Sequence, residues 1–427
     1  MRRSPLLPIF LIVLVDVMGL TIVLPLLAIY SESFGASAQV ASLLMPTYAV
    51  CQLVAGPILG RLSDRYGRRR ILLVSQLGTL AGFILLAKAK VLWMVFAGRV
   101  IDGLTAGNLT VAQAYIADHT PPERRARSFA LIGIAFGIGF LFGPFLSATL
   151  SHSHGYAAPF WAAAGMSLTS ILGTIFLLPA DHGTAGAGAA GKPGGDAGPA
   201  GRRVSIFDWR VYTAYFQRPA LGVLLVLFFV YMFSFSLFTG GFALFAERYL
   251  TWKGAPFTPR EIGFTLAYVG LIGAVIQGGL IGRLVARHGE RRLVVAGFAS
   301  LGAGYTVLAF VGGIPVLVAA ATLSAIGTAV LRPSITALVT HQAGKHEQGA
   351  VLGVTQSLSS VAAIVAPPLA GLLIGHHLGR AWAGVAAAAA FLGCVLAARA
   401  RGAHPAAGDP PTTPTPSTPP AGGAGGG

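Results

Sequence analysis

Two acidic residues stand inside long apolar runs of this sequence, where a charge is costly. Of the chain's 14 acids, Asp16 and Asp102 are the two that fall in the interior of such a run. A charged side chain at the centre of a bilayer costs a few kcal/mol or more, so it usually faces a cavity or a partner and marks a path for ions or protons. Because burial disfavours the charged form of a carboxyl group, Asp16 is the candidate proton carrier. A purely structural role for Asp16 is the alternative.

An arginine accompanies the second acid at helical spacing. Arg99 lies three residues before Asp102, a separation at which two side chains of one helix can pair. At 100° per residue, Gln113 falls within about 20° of Asp102 and about 40° of Arg99. The spacing therefore predicts one polar stripe on one helix. Arg99 either forms an internal ion pair that makes it tolerable in a membrane, or controls the protonation of Asp16 or Asp102.

The stretch "GRLSDRYGRRR" concentrates charge between two apolar runs and begins at Gly60. A carboxylate can sit at a helix N-terminus and pair with an arginine, so Asp64, Arg65 and Arg68 are candidates for a latch that favours one conformation. Gly60 and Gly67 would permit close approach and a tight turn. The alternative is a cluster that only sets the orientation of the chain in the membrane, which would leave the glycine spacing unexplained.

Composition identifies the environment of these residues. The chain has 427 residues, of which 54% are hydrophobic and only 10% charged, against about 25% charged in soluble domains. A membrane helix needs roughly 20 predominantly apolar residues. Such runs recur, whereas the ~10-residue alternating segments of a membrane β-barrel do not appear. The sequence predicts an all-α membrane protein with twelve transmembrane helices. They span residues 6–30, 39–59, 71–88, 91–117, 127–150 and 157–179, and then 219–246, 261–282, 293–312, 314–340, 348–375 and 381–399.

The predicted helices fall into two halves of six. The predicted organisation is an N-terminal six-helix half (1–179), a cytoplasmic Gly/Ala-rich linker (180–217), a C-terminal six-helix half (218–400) and a disordered tail (401–427). The stretch "GRLVARHGERR", from Gly282, repeats the first basic cluster at an offset of 222 residues, with Ala286 in place of Asp64. Internal repeats of this kind describe transporters that move two pseudo-symmetric halves about a central site.

The distribution of lysine and arginine predicts the orientation. With an even number of helices both termini lie on one side, and the predicted loops of that side carry most of the basic residues. Short cytoplasmic loops carry an excess of Lys and Arg, so we expect a multi-pass protein of the cell (inner or plasma) membrane with both termini in the cytoplasm. The same bias explains the net charge of +16 by proximity to anionic lipid, without nucleic acid as a partner.

Polar residues from several predicted helices are candidates for the wall of a central cavity. Gln52 and Gln277 come from the second helix of each half. Tyr48 shares the run of Gln52, and the other two interrupt further apolar runs. The candidate set is Tyr48, Gln52, Gln113, Gln277 and Gln356.

The predicted fifth helix contains a Gly-Pro motif. Gly139, Gly143 and Pro144 would bend and thin this helix where the two halves meet. The alternative is that Gly and Pro are simply common in membrane helices.

Several motifs resemble those of one known family. The stretch "GRLSDRYGRRR" resembles the loop signature of the major facilitator superfamily, "GRVIDGLTAG" (from Gly98) is similar to its fourth-helix Arg motif, and "GIGFLFGPFLSATL" (from Gly137) resembles its antiporter motif. The longer stretches "YAVCQLVAGPILGRLSDRYGRRR" and "AGRVIDGLTAGNLTVAQAYIAD" look like the twelve-helix Tet-type drug/proton antiporters. The resemblance covers nearly the whole chain apart from linker and tail. It implies the major facilitator fold, export, and coupling roles for Asp16 and Arg99.

The sequence departs from the Tet-type pattern at three places. Tet-type tetracycline exporters carry acids in the third and ninth helices, but "GTLAGFILLA" and "GFASLGAGYT" contain none. They also keep a histidine before the eighth-helix glutamine, where this chain has Gly273 before Gln277. These departures argue against metal–tetracycline as the substrate.

The predicted function is secondary active transport. We expect a monomer that exports a small amphipathic organic compound or drug by proton-coupled alternating access, with the substrate, protons and the lipid bilayer as its partners. Proton-coupled uptake of a metabolite by symport is the alternative that keeps the fold. A non-transporting receptor or scaffold is a further alternative, against which the costly buried charges argue. Because no nucleotide-binding, nucleophile or metal motif appears, we expect no enzyme activity, no cofactor and no metal site.

Overall fold

The computed structural model describes residues 6–120, 125–178, 209–343 and 347–402, which are mostly helical. In the first half the helices are α1 (Leu6–Val23), α2 (Leu27–Glu32), α3 (Ala38–Ser42), α4 (Leu44–Tyr66), α5 (Arg68–Ala87), α6 (Leu92–Leu104), α7 (Asn108–His119), α8 (Arg125–His154) and α9 (Ala158–Leu177). In the second half they are α10 (Trp209–Gln217), α11 (Pro219–Tyr249), α12 (Pro259–Val275), α13 (Ile281–His288), α14 (Glu290–Ala309), α15 (Ile314–Gln342), α16 (Gln348–Gly375) and α17 (Gly379–Gly402). One π-helical turn, Ile276–Leu280, joins α12 to α13, and strands β1 (Thr251–Trp252) and β2 (Ala255–Pro256) pair after α11.

These helices form twelve spans. Within the described ranges, ten helical segments are long and apolar enough to cross a membrane. The other two spans are divided: span 1 into α1 and α2, beside Pro25, and span 4 into α6 and α7. Proline breaks a helix because it lacks a backbone donor and clashes with the preceding turn. The remaining spans are α3–α4 (2), α5 (3), α8 (5), α9 (6), α11 (7), α12–α13 (8) and α14 to α17 (9 to 12). The predicted twelve-helix membrane fold is confirmed.

Two names for the sides of the molecule follow from this arrangement. We call the side where α1 begins and α17 ends the terminal face. Odd-numbered spans begin on this side, and even-numbered spans end on it. The other side is the opposite face.

The predicted linker and tail fall largely outside the described residues. The last nine residues of the predicted linker form helix α10, so that part of the linker is folded. The physical reason is its aromatic content, since Tyr215 of α10 is buried against the core of the second half. Helix α17 continues to Gly402, two residues into the predicted tail. Residues 179–208 and 403–427 lie outside the described ranges.

Both copies of the basic loop make the same turn. Gly67 follows α4 with a φ of +96°, and Gly289 follows α13 with a φ of +72°. Glycine adopts positive φ at no steric cost, whereas other residues rarely do. In each copy the glycine N–H donates to the carbonyl four residues earlier, on Ser63 (3.1 Å) and on Val285 (2.8 Å). The sequence repeat therefore extends to the backbone geometry of the two loops.

The first half contains two apolar clusters with a polar layer between them. The cluster towards the terminal face includes Leu72 and Ile116, and the cluster towards the opposite face includes Phe83 and Phe160. Spans 1, 3, 4 and 6 place polar side chains between these clusters. This polar layer consists of Asp16, Gln76, Arg99, Asp102, Asn108 and Ser170. The second half has a large apolar cluster, mainly from spans 7 and 9 to 12, and a smaller separate one that includes Ile276 and Val330.

The two halves contact each other at the opposite face. Glu32 at the end of span 1 and Arg248 at the end of span 7 form an ion pair, with Oε1 and Nη2 2.6 Å apart. Spans 2 and 11 touch at the same level, where Gly371 packs so closely on Ser42 that an added methyl group would overlap it. In the terminal-face part of span 8, a methyl group at Gly278 would meet no atom within 4 Å. The closure between the halves is therefore strongest at the opposite face.

Span 5 packs against span 1 through the Gly-Pro motif. A methyl group at Gly139 would lie 2.7 Å from Val17, and one at Gly143 would overlap Thr21. The Thr21 hydroxyl donates to the carbonyl of Gly139 at 2.8 Å. The helix runs on through Pro144 without interruption. The two glycines therefore allow spans 1 and 5 of the same half to pack closely. This corrects the expectation that they act where the two halves meet.

The other side of span 5 meets span 8 of the second half. A methyl group at Gly263 would lie 2.6 Å from the carbonyl oxygen of Pro144, and one at Gly270 would overlap the backbone of Phe140. At this contact between spans 5 and 8, the closely packed glycines thus belong to span 8.

We predict that Gly143→Ala lowers the melting temperature of the detergent-solubilised protein, whereas Gly137→Ala does not. At Gly143 the methyl group would overlap Thr21, but at Gly137 of the same helix it would meet no atom within 4 Å. Overpacking costs about 1–3 kcal/mol, while Gly→Ala in an open helix position contributes up to about 1 kcal/mol of stability. Fluorescence-detected size-exclusion melting curves measure both variants. Equal melting temperatures would contradict the close packing of spans 1 and 5.

Candidate functional site

Asp16 lies among polar side chains from three other spans. Its carboxyl is beside Gln76 of span 3, Asn108 of span 4 and Ser170 of span 6. Gln76 and Ser170 are fully buried, and the Gln76 Nε2 donates to the Ser170 Oγ at 2.7 Å. The only acid inside span 1 therefore sits in a built hydrogen-bonding pocket.

Two acceptor oxygens beside Asp16 have no donor. The Gln76 Oε1 and the Asn108 Oδ1 are buried and make no hydrogen bond. An ionised carboxylate only accepts hydrogen bonds, but a protonated carboxyl group carries one O–H donor. Ionised Asp16 can accept from the Ser170 hydroxyl and from the amide N–H groups of Gln76 and Asn108. Rotation of either amide would turn an acceptor oxygen towards protonated Asp16. The pocket thus offers partners to both protonation states.

Arg99 and Asp102 form a buried ion pair in the same layer. The Arg99 Nη1 lies 2.7 Å from the Asp102 Oδ2, and the residues are only 1% and 3% exposed. The ring of Tyr48 lies under the guanidinium, with 4.3 Å between the Arg99 Cζ and the ring centroid. Such a desolvated cation–π contact contributes about 2 kcal/mol. Gln52 donates to the Tyr48 hydroxyl at 3.0 Å. The pairing expected from the spacing is present, and an aromatic face supports it.

Span 4 breaks directly after this ion pair, between α6 and α7. Ser75 of span 3 supports the break, because its hydroxyl donates to the Thr105 carbonyl and accepts from the Gly107 N–H (2.9 Å). The Gly107 N–H also donates to the Thr105 carbonyl at 2.7 Å, so the Ser75 hydroxyl adds a second contact to each of these backbone groups at the helix ends. The predicted stripe assumed one continuous helix and is therefore wrong for Gln113, which is exposed while Asp102 is buried.

The loop between spans 2 and 3 holds an ion pair within itself. The Asp64 Oδ1 lies 2.6 Å from the Arg68 Nη1, which also donates to the Ser63 Oγ at 2.6 Å. Arg65 stacks on the neighbouring tyrosine ring. Asp64 lies in the last turn of α4, not at the expected helix N-terminus, because Gly67 ends the helix only after it.

Two further residues of this loop differ from expectation. A methyl group at Gly60 would lie 3.8 Å from Thr110, an ordinary contact, so no close approach requires glycine there. Arg69, which sequence reasoning did not single out, donates to the carbonyls of Thr174 (3.2 Å) and Ile175 (2.5 Å) at the end of α9. A cation is favourable at a helix C-terminus. Arg69 therefore ties the loop to span 6 of its own half.

The candidate cavity residues differ in their surroundings. Tyr48 and Gln52 are half-buried beside the ion pair, whereas Gln113, Gln277 and Gln356 are exposed. Gln277 lies in the π-helical turn of span 8. Polar side chains inside membrane spans usually face the bundle interior or a water-filled cavity.

Sequence reasoning missed four residues of this region. Gln76, Asn108 and Arg332 interrupt predicted spans just as Gln52 and Gln277 do, so the same signal could have found them. Ser170 carries no such signal, because serine is common in membrane helices. The guanidinium of Arg332 lies 5.1 Å from the ring centroid of an aromatic residue of span 5.

Comparison with known proteins identifies the family. The profile of the Major Facilitator Superfamily matches residues 9–280 and 256–424. The chain belongs to this superfamily. Among its relatives, tetracycline resistance protein class C of Escherichia coli is 31% identical over 406 residues, 92% of this chain and 95% of that protein. The class G protein of Vibrio anguillarum is 32% identical over 372 residues, 86% and 89% of the two chains. This superfamily member therefore falls in the Tet-type branch.

A solved structure supports the same fold. The crystal structure of the human organic anion transporter MFSD10 (TETRAN) aligns with a TM-score of 0.68 at 23% identity, covering 92% of this chain and 99% of that one. This member of the superfamily is a multi-pass membrane transporter of a small molecule, as predicted.

We predict that removing either partner of the Arg99–Asp102 pair destabilises this transporter more than removing both. Arg99→Gln or Asp102→Asn leaves one buried charge uncompensated, which costs about 3–5 kcal/mol. Arg99→Gln/Asp102→Asn leaves no net charge and should recover most of the loss. Melting curves of the three variants in one detergent provide the measurement. Single variants as stable as the wild type would contradict the ion pair.

Proposed function

We propose that this protein is a proton-coupled exporter of a small amphipathic organic compound, and that Asp16 binds and releases the proton. The observation that carries the proposal is the pocket around Asp16. A hydroxyl and amide groups surround the ionised form of Asp16, and the donorless oxygens of Gln76 and Asn108 are acceptors for the protonated form. A proton carrier exists in both forms during its cycle. A buried polar group without a partner is costly, so a carrier needs partners for each form.

Arg99 and Asp102 are the proposed link between the proton and the substrate. Asp102 acts electrostatically on Asp16, and Arg99 compensates the charge of Asp102 at 2.7 Å. Any movement that separates this pair changes the charge that Asp16 experiences. This arrangement favours the coupling role of Arg99 over a purely structural one.

The contacts between the halves support alternating access. The Glu32–Arg248 ion pair and the packing of spans 2 and 11 close the opposite face. We assign the terminal face to the cytoplasm of a bacterial inner membrane, from the positive-inside bias of its loops. The described conformation is then closed to the outside. In the reverse conformation, the Asp64–Arg68 loop would latch the two halves on the cytoplasmic side.

The relatives support the proposed direction of transport and bear on the class of substrate. Tetracycline resistance is the named property of several of them, which supports export over uptake. Spans 3 and 9 lack the acids of the Tet-type pattern, and Gly273 replaces its histidine. We therefore propose an exported compound other than metal–tetracycline.

Energised everted membrane vesicles test this proposal. An internal-pH dye is followed while a panel of amphipathic compounds is added to wild type, Asp16→Asn and Glu290→Gln. Asn keeps the shape of Asp16 but cannot carry a proton, and Glu290→Gln makes the same acid-to-amide change at the start of α14. We expect some compounds to release protons with the wild type and Glu290→Gln, and not with Asp16→Asn.

Two outcomes would overturn parts of the proposal. Proton release that survives Asp16→Asn would move the coupling site to another group, with Asp102 the next to test. If compounds cross the membrane with the wild type and the dye shows no response, transport is not coupled to proton exchange.

A further inference from the structure

Arg332 brings a positive charge into the membrane-spanning part of α15. It lies ten residues before Gln342 in α15, or about 15 Å from the terminal-face end of span 10 at 1.5 Å per residue. Its guanidinium cannot lose its proton in a protein. Among the residues that the structure describes, the ion pairs found do not include Arg332. Neither mid-membrane acid compensates it, since Asp16 lies in its amide pocket and Asp102 pairs with an arginine of its own span.

Contacts place Arg332 between the two halves. Its guanidinium lies 5.1 Å from the ring centroid of Phe136 of span 5, and its charge acts on Tyr231 of span 7. The rings of Phe140 and Phe235, from the same two spans, lie 6.4 Å apart across the halves. Arg332 itself is exposed. The cation therefore faces an open space beside aromatic rings from both halves.

The internal repeat relates Arg332 to the proton pocket. At the offset of 224 residues that aligns Glu123 with Glu347, Arg332 corresponds to Asn108. Asn108 lies beside Asp16 in the first half. The fourth spans of the two halves thus place Asn108, which borders the acid pocket, and the Arg332 cation at equivalent positions of the repeat.

We infer that Arg332 binds an anionic group of the transported compound, so that the substrates are amphipathic organic anions. This inference rests on the proposed transport function and names its substrate class. A guanidinium binds carboxylate, sulfonate or phosphate oxygens through two parallel N–H donors. The neighbouring rings suit an aromatic or apolar body. A neutral or cationic substrate would leave Arg332 uncompensated when the halves close around it, which is costly.

Ligand binding to the purified full chain in detergent tests the inference without any proton gradient. The probes share one ring system and differ in charge: naphthalene-2-sulfonate, naphthalene-2-sulfonamide and 2-naphthyltrimethylammonium. Their affinities follow from the concentration dependence of the melting temperature. The variants are Arg332→Gln, Arg332→Lys and the matched control Arg260→Gln. Arg260 is also exposed and stacks on a ring, that of Phe264 at 5.7 Å, but lies at the opposite-face end of span 8.

We expect the sulfonate to bind the wild type and Arg260→Gln about equally. Its Kd should rise about tenfold or more in Arg332→Gln, since a charge-assisted hydrogen bond is lost, and less in Arg332→Lys. Sulfonamide affinity should change little. Because no gradient is used, this pattern can hold even if Asp16 proves not to couple protons.

Three results would overturn the inference. One is sulfonate binding that is unchanged in Arg332→Gln. Another is stabilisation of the wild type by the ammonium probe and not by the sulfonate. The third is stabilisation by added phosphatidylglycerol alone, lost in Arg332→Gln, which would place a lipid anion at the guanidinium instead of the transported compound.

Discussion

The buried ion pair of Arg99 and Asp102 is the constraint on which the first half depends. Two charges in an apolar bilayer protein are tolerable when they pair with each other and are shielded from hydrocarbon. Small residues provide the seal. A side chain at Gly103 would lie 2.7 Å from the backbone of Tyr48, and one at Gly82 would lie 3.1 Å from the Asp102 Cβ. Spans 2, 3 and 4 therefore approach the pair as closely as backbones allow.

The same constraint produces the asymmetry between the halves. In the first half a polar layer lies between two apolar clusters, whereas the second half has one large cluster, mainly from spans 7 and 9 to 12, and a small one around Val330. Among the described residues, Arg99 and Asp102 are the charged side chains that are fully buried. A duplicated fold has thus kept the turn at Gly67 and Gly289 while its two halves carry different polar groups. In the proposed transport cycle, the first half holds the proton and the second half supplies the cation that binds the substrate.

Much of the fold could be predicted from the sequence because hydropathy decides which segments cross a bilayer. The Arg99–Asp102 pairing also follows from local spacing, since three residues separate neighbours on one helix. The position of Gln113 could not be predicted, because a serine from another span, Ser75, stabilises the break in span 4. Tertiary contacts of this kind leave no local pattern. The packing partners of Gly143 and Gly263 were hidden for the same reason, since a glycine in a membrane helix does not reveal which span it approaches.

The central claim is that Asp16 exchanges a proton for the substrate, and proton counting tests it most directly. A compound found to bind is added to purified protein in weakly buffered detergent solution, and the protons released per bound molecule are measured for wild type and Asp16→Asn. The account predicts proton release by the wild type, and binding without release by Asp16→Asn. Proton uptake on binding would contradict exchange and indicate symport. Equal proton release by wild type and Asp16→Asn would show that Asp16 is not the proton carrier.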